Sequence, residues 1–563
     1  MTAPRWTTAC PDWEQRIVAG QSLVPCPPLF PAEAQAALDI FRGLKIVDVL
    51  NSPTFEEACR EWVFDFVGAV FGAYDPDAGR RLINEFFLLI SKKNSKSTVA
   101  AGIMITALLR NWRKNAEFII IAPTIQVARN SADPAMAMVA ADPELFKILR
   151  PVPHLRMIEH RTTGATLKIL AADSDVVTGN KATGVLIDEL HLFGTKANAE
   201  AMLREARGGL TSRPEGFVIA LSTQGEEPPA GVFKQWLGRF RDIRSGKLSA
   251  PKSLGVLYEF PKAMIEAKAY LDPANFFITN PNIGASVDEE FLLDEYAKAQ
   301  LGGEGSVRGF LAKHLNVEVG MNMGSDAWAG AEFWEPCGDK TVTLEAILAR
   351  CEVVVVGIDG GGLDDLLGLT ILGRCRETRK WLIWNRAWAH KVVLNRRKEI
   401  APRLQDFEKD GDLRLVDDPA KAVTELVDVV MQVEDAGLLA DQGIGVDAAG
   451  IGEIVDGLTG RGIALERIIG ISQGWKLNGA IKTTERRLAS KTVLHGGRPM
   501  MAWCVSNARV VPQGNAISIT KQVSGSAKID PVMSTFNAVA LMATNPEAKG
   551  GPSVYATRGL LIM

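Results

Sequence analysis

The sequence predicts an α/β chain built as two sheet-containing units, and three observations carry that reading. Apolar, largely β-branched runs alternate with segments of helical periodicity from residue 85 to 223 and again from 353 to 472. Two of these runs, GVLIDELH (184–191) and VVVVGIDGG (353–361), end abruptly in a carboxylate. The two acids, Asp188 and Asp359, stand about 170 residues apart, roughly one domain length. Between about 240 and 340 the strand signals fade and charged helical patterns replace them. A buried strand that delivers an acid at its C-terminal end is a common way for an α/β domain to hold a divalent cation. Two sites on two folded units are therefore expected.

The elements follow in order. Residues 1–45, rich in proline, read as an N-terminal arm. Ala58, Trp62, Phe66 and Val70 recur at helical spacing and predict an amphipathic helix over 55–71. Strands are predicted at EFFLLI (85–90), EFIIIAP (117–123), ATLKILAA (165–172), GVLIDE (184–189) and GFVIALST (216–223), with helices from Lys96 to about Asn111 and from Gln126 to about Val139. That alternation implies a mainly parallel sheet covered on both faces, over residues 46–240. Residues 241–345 read as a helical lid or connector. A second α/β domain spans 346–545. Its strands are VVVVGID, LLGLTILGR (366–374) and KWLIWNRAW (380–388), then GIGVDAAG (443–450) and RIIGIS (467–472) between helices, with a closing helix from about Asp530 to Ala543. Three consecutive strands followed by alternating helices and strands match an RNase H-like order. Residues 546–563, with glycines and no periodicity, read as a flexible tail.

Composition narrows the function classes. A 563-residue chain with 47% hydrophobic content builds real cores. A formal net charge of −3 carries no global signature of nucleic-acid binding, so any such contact must come from local basic patches. Seven cysteines without a CxxC pair argue against a disulfide scaffold or zinc ribbon and fit a reducing compartment. The N-terminus lacks an apolar signal region, and no apolar window reaches 18 residues, so no membrane association is expected.

The first acid gains meaning from what precedes it. After EFFLLI comes SKKNSKST (91–98) and then a helix, the strand–loop–helix layout of a P-loop, or Walker A. Loop amides and the helix N-terminus cradle phosphates, Lys96 would reach the β/γ oxygens of ATP, and the Ser97 hydroxyl would bind Mg²⁺. Ser95 and Thr98 complete the nucleotide-binding run. The two glycine positions of the motif hold Ile90 and Ser95, so the match is degenerate; this segment alone also reads as an ordinary basic helix start. In a Walker B arrangement Asp188 would hold Mg²⁺ through water and Glu189 would polarise the attacking water. IALSTQG (219–225) then ends a strand in Ser222, Thr223 and Gln224, which suits a γ-phosphate sensor and by itself also suits a capped strand end.

The second acid belongs with two others. Asp447 ends GIGVD and Asp530 opens the closing helix. In an RNase H-like sheet Asp359, Asp447 and Asp530 would converge to hold two Mg²⁺ or Mn²⁺ ions, as a two-metal nuclease requires. Asp364 and Asp365 read as outer ligands or as solvated turn residues. Lys521 and Lys528 read as DNA-phosphate contacts or solvated surface, and His495 as a metal neighbour or a hydrogen-bonded turn histidine. Trp381, Trp384 and Trp388 read as core and edge packing.

With KKNSKST, LIDELH, LSTQG, NPNIG (280–284), FLAKHLN (310–316), VGIDGG and the block HGGRPMMAWCVSN to ITKQVSGSAKIDPVMSTFNAVALM (495–542) in view, the chain resembles the large terminase subunit of tailed bacteriophages, in the HK97-like branch, over about Phe55 to Asn545. The resemblance implies an ATP-driven motor that packages viral DNA and a metal-dependent endonuclease that cuts concatemers. It implies double-stranded viral DNA, a portal protein and a small terminase subunit as partners. It further implies a ring, commonly a pentamer, on the portal, with a monomer in solution also compatible, in the host bacterial cytoplasm. By matching motif positions it assigns Lys96, Ser97, Asp188 and Glu189 to the ATPase, Ser222, Thr223 and Gln224 to coupling, and Asp359, Asp447 and Asp530 to the nuclease metals. An arginine finger is implied, with Arg204, Arg207 and Arg213 as alternatives. Two competing readings remain from the residues: a nuclease whose P-loop half is a non-hydrolysing nucleotide clamp, and a non-catalytic capsid- or portal-associated protein, which the three acids disfavour.

Overall fold

The first sheet has eight strands: β1 Glu85–Leu89, β2 Glu117–Ala122, β3 Leu149–Val152, β4 Met157–His160, β5 Thr166–Ala171, β6 Ala182–Ile187, β7 Phe217–Ser222 and β8 Ser253–Leu257. Their spatial order is β8-β1-β7-β6-β2-β5-β4-β3. Pairing is parallel from β8 through β5 and antiparallel across β5-β4-β3. Every residue of β1, β6 and β7 is buried, as expected for strands covered on both faces. Parallel pairing aligns the C-terminal ends of β1, β6 and β7 on one edge, which places the first site. The computed structural model describes residues 6–172, 182–196, 199–318, 328–447, 452–514, 516–521 and 527–549, and the chain divides into two compact units, Met1–Val319 and Gly320–Met563.

Several expectations for the first unit are corrected. Residues 6–45 are folded into it rather than forming an arm. They contain helices α1 (Trp13–Val18) and α2 (Pro31–Gly43), and Ala37 and Phe41 of α2 are fully buried. The helix expected over 55–71 is two: α3 (Phe55–Ala58), held by a Thr54–Glu57 capping box, and α4 (Glu61–Phe71), with the chain extended at Cys59 and Arg60 between them. Helices α5 (Lys96–Leu109) and α6 (Ile125–Ala140) lie where periodicity places them. The stretch after residue 240 is not purely helical, because β8 joins the sheet edge beside β1. The short strands β3, at the sheet edge, and β4, beside it, are too brief to be read from sequence periodicity.

The second sheet contains β9 (Cys351–Gly360), β10 (Leu367–Cys375), β11 (Trp381–His390), β12 (Leu413–Val416), β13 (Leu439–Asp447), β14 (Ile468–Ile471) and β15 (Val493–His495). The order is β12-β11-β10-β9-β13-β14, with β15 beside β11. β9, β10 and β11 form antiparallel hairpins, and β13 lies parallel to β9. β12 is a short strand that the sequence reading absorbed into a helical stretch. Trp381, Trp384 and Trp388 are all buried in the two cores that cover the sheet faces. Residues 546–549 are tied down, contrary to the flexible-tail expectation: Arg374 donates to the Pro546 carbonyl at 2.9 Å and the Lys549 amide to that of Glu352 at 2.7 Å. Residues 550–563 lie outside the described residues, as do residues 448–450 of GIGVDAAG.

The closing helix, Asp530–Met542, lies directly on β9, β10 and β13 because glycines leave room for its backbone. A Cβ on Gly357 would sit 1.9 Å from the Ser534 carbonyl oxygen, one on Gly368 2.9 Å from Pro531, and one on Gly445 3.1 Å from the Asn537 carbonyl oxygen. Asn537 also donates to the Ile358 carbonyl at 2.9 Å. A methyl group at residue 357 cannot be accommodated without moving the helix, so Gly357→Ala is expected to destabilise the second unit by roughly 2–4 kcal/mol in chemical denaturation. An unchanged midpoint would show that the helix is not held by this contact.

Candidate active sites

In the first unit, the loop between β1 and α5 brings the backbone close to the ends of β6 and β7. Ser95 precedes α5 with φ 57° and ψ 24°, the left-handed conformation for which glycine is usually chosen. The loop thus keeps the torsion of a phosphate cradle although its residue is serine, at a cost of about 1–2 kcal/mol. Lys96 is buried, its Nζ 3.5 Å from the Ile90 carbonyl and 4.0 Å from Glu189 Oε1. Ser97 Oγ donates to Asp188 Oδ2 at 3.1 Å, and Ser131 of α6 donates to the same oxygen at 2.9 Å. Asp188 is fully buried and its Oδ1 has no hydrogen-bond partner.

Burial, reinforced by neighbouring Glu189, pushes the Asp188 carboxyl above the usual range. Burial also opposes ionisation of Glu189, yet Lys96, His191 and Lys92 outweigh it and hold that carboxyl below the usual range. Glu189 is itself left-handed, with φ 54°. At the end of β7, Ser222 Oγ accepts from the His191 amide at 3.0 Å. Gln224 is buried, its amide N–H bound to Asn316 Oδ1 at 3.1 Å while both side-chain amide atoms have no partner.

The loop is braced from behind by NPNIG and FLAKHLN. Asn94 donates to Asn280 Oδ1 at 2.9 Å and accepts from the Asn282 amide at 3.1 Å. Asn280 donates to the His314 carbonyl at 2.7 Å, and the Lys92 amide to that of Lys313 at 2.7 Å. Of the arginines, Arg204 is exposed. Arg207 lies 3.6 Å from Glu85 at the opposite end of β1 from the loop, and Arg213 donates to the Ser212 carbonyl at 3.5 Å.

In the second unit, Ile358 pairs with Val446 in parallel register, so Asp359 and Asp447 leave adjacent strand ends on the same face. Opposite Asp359 on β10 stands Gly368, against which the backbone of Asp530 and Pro531 rests. Asp530 Oδ2 is buried without a partner. Burial, with Asp530, Asp447 and Asp365, raises the Asp359 carboxyl from 3.8 to about 8; burial and Asp365 raise Asp530 to about 6. Asp447 and Asp530 thus lie near enough to Asp359 to act on its charge, although among the described residues no group of three or more His, Cys, Asp or Glu side chains is drawn close enough to hold a metal ion as the structure stands. Unpartnered buried carboxylate oxygens are hard donors that suit Mg²⁺ or Mn²⁺.

Asp365 remains partly solvated in its turn and pairs there with Lys528, itself only 1% exposed and also bonded to the Asp364 carbonyl. Lys528 is thereby removed from the solvated surface and from direct phosphate contact, whereas Lys521 is exposed. Asp364 pairs with Arg397 at 3.1 Å. His495 is a buried structural histidine, bonded to the Trp334 carbonyl at 2.7 Å and stacked on that ring at 4.0 Å.

The chain matches the terminase large subunit ATPase domain over residues 61–234 and the terminase large subunit endonuclease domain over residues 256–545. It belongs to the terminase large subunit family. The terminase large subunit of Lactococcus phage p2 is 22% identical over 82% of this chain and 83% of its own length. The large subunit of Enterobacteria phage HK97 is 22% identical over 84% and 86%. The crystal structure of the HK97 bacteriophage large terminase covers 90% of this chain and 99% of its own, at 21% identity and a TM-score of 0.46.

As a large terminase subunit, the chain carries a P-loop ATPase domain followed by an RNase H-like endonuclease domain, and it is a DNA-packaging ATPase and nuclease. Nucleotide and divalent-metal use, and DNA, portal and small-subunit partners, come with that family. Among the described residues no helix is long and apolar enough to cross a membrane. Sequence reasoning missed Ser131, because a serine within an amphipathic helix carries no signal, and left Asp365 open.

A carboxyl whose pKa rises on folding stabilises the folded state at low pH and loses that contribution as pH climbs through the raised value. Without divalent ions, the melting temperature of the second unit is expected to fall as pH rises from 3.8 to about 8. Asp359→Asn should raise the midpoint at the alkaline end and abolish the stabilisation by Mn²⁺. A wild-type midpoint independent of both pH and Mn²⁺ would contradict the clustered-acid geometry.

Proposed function

We propose that Lys96, Ser97 and Asp188 hold the phosphates and Mg²⁺ of ATP, with Ser95 and Thr98 completing the nucleotide cradle, and that Glu189 is the base for the attacking water. The observation that carries this reading is Asp188, whose Oδ2 is engaged by Ser97 and Ser131 while its Oδ1 has no partner. An ionised carboxylate buried that deeply needs a cation beside it. Glu189, held ionised by Lys96 and His191, is in the protonation state a base requires. Gln224 and Thr223 lie at the end of β7, where the unpartnered Gln224 amide suits detection of the γ-phosphate. One of Arg204, Arg207 and Arg213 would serve a neighbouring subunit as an arginine finger.

In the second unit Asp359, Asp447 and Asp530 would hold two Mg²⁺ or Mn²⁺ ions. Divalent ions there supply charge neutralisation at the scissile phosphate and an activated water. The residues themselves bring the acids to one edge, and the glycine turn after Asp359, with Gly360 at φ 89°, keeps side chains out of the path of the DNA backbone. The working assembly is a ring, commonly a pentamer, on the portal in the host cytoplasm.

Glu189→Gln is expected to lower DNA-stimulated ATP turnover at least a hundredfold while ATP binding persists. Unchanged turnover would leave the first unit as a nucleotide clamp and remove the motor assignment from these residues.

A further inference from the structure

His191 stands two residues after Glu189. The side chain is 13% exposed, and its Nδ1 lies 3.3 Å from Glu189 Oε2 and 3.4 Å from Ser222 Oγ. Its backbone amide donates to the same Ser222 oxygen at 3.0 Å, and that hydroxyl donates onward to the Thr223 carbonyl at 2.9 Å. The residue is therefore fastened twice to the end of β7 and once, through the ring, to the carboxylate that leaves β6. The contact with Glu189 is an ion-pair distance rather than a formed hydrogen bond, since Oε2 has no hydrogen-bond partner. Glu189 sits in a left-handed backbone conformation between two attractors, Lys96 on one side at 4.0 Å and His191 on the other. Phe233 packs edge-on against the imidazole at 6.3 Å and limits where the ring can go.

We propose that His191 is the positioning residue that couples the end of β7 to the hydrolytic base. Ser222, Thr223 and Gln224 are contiguous on that strand end, so a shift of Gln224 toward or away from a γ-phosphate moves Ser222. Ser222 carries the imidazole with it, and the imidazole steers Glu189. The strand end and the base then act as one unit, which would tie water activation to the presence of the γ-phosphate. The inference rests on the assignment of Glu189 as base.

The test uses the full chain and compares His191→Ala, His191→Asn and Ser222→Ala with Glu189→Gln, reading ATP turnover, ATP affinity and plasmid cleavage. His191→Ala is expected to lower kcat about tenfold or more with KM changed less than about threefold, and with cleavage by the second unit intact. His191→Asn, whose amide can replace one ring contact, should recover part of the loss. Because the two residues act as one unit, the His191→Ala/Ser222→Ala double variant should lose little more than the worse single variant. Fully additive losses, an unchanged kcat in His191→Ala, or a parallel loss of cleavage and thermal stability would overturn the inference. If Glu189→Gln is inactive while His191→Ala is normal, only the coupling fails; if Glu189→Gln is active, the base assignment itself fails.

Discussion

Asp188 and Asp359 both stand at the end of a strand where water is largely excluded, and an ionised carboxylate in such a place requires donors or a cation. Much of the architecture around each acid follows from that requirement. In the first unit the answer is a set of donors drawn from two helices, Ser97 and Ser131, with Lys96 close to the neighbouring Glu189. In the second unit, among the described residues, the groups acting on Asp359 are further acids, and Lys528 pairs with Asp365 and also acts on Asp530. On the proposed assignment, one site would take a group that arrives with its own negative charge and a cation, the other cations before any substrate.

The two sheets reach these arrangements by different means. Parallel pairing of β1, β7 and β6 aligns three strand ends, so the phosphate loop, Ser222 and Asp188 meet without special contrivance. The second sheet begins with antiparallel hairpins, and only β13 runs parallel to β9. Its third acid comes from a helix pressed onto the sheet, which is possible because Gly357, Gly368 and Gly445 present no side chains beneath it. The carboxylates of this site are thus brought together by tertiary packing, and those of the first mainly by strand order.

That difference explains what could be read from sequence. Asp188, Glu189, Lys96 and Ser97 are marked by local patterns, a strand ending in acids and a strand–loop–helix run, so their placement was accessible. The proximity of Asp359, Asp447 and Asp530 was accessible because the order of strands suggested which ends adjoin. The roles of Asp365 and Lys528 were not, since only the folded turn reveals that a lysine two residues before Asp530 is buried against it. Likewise β3, β4 and β12 are short strands whose pairing is decided by neighbours rather than by their own pattern, and residues 6–45 pack against the unit through Ala37 and Phe41 despite their prolines. The NPNIG and FLAKHLN segments carried a family signature in sequence; their physical role, bracing Asn94 and Lys92 of the phosphate loop, required coordinates.

The division into two chemically distinct metal sites is tested most directly by anomalous diffraction from crystals grown with Mn²⁺, with and without a non-hydrolysable ATP analogue. Peaks beside Asp359, Asp447 and Asp530 are expected in both crystals, and a peak between Ser97 and Asp188 only when the nucleotide is present. A nucleotide-dependent peak at the three aspartates, or no peak at Asp188 with the analogue bound, would contradict it.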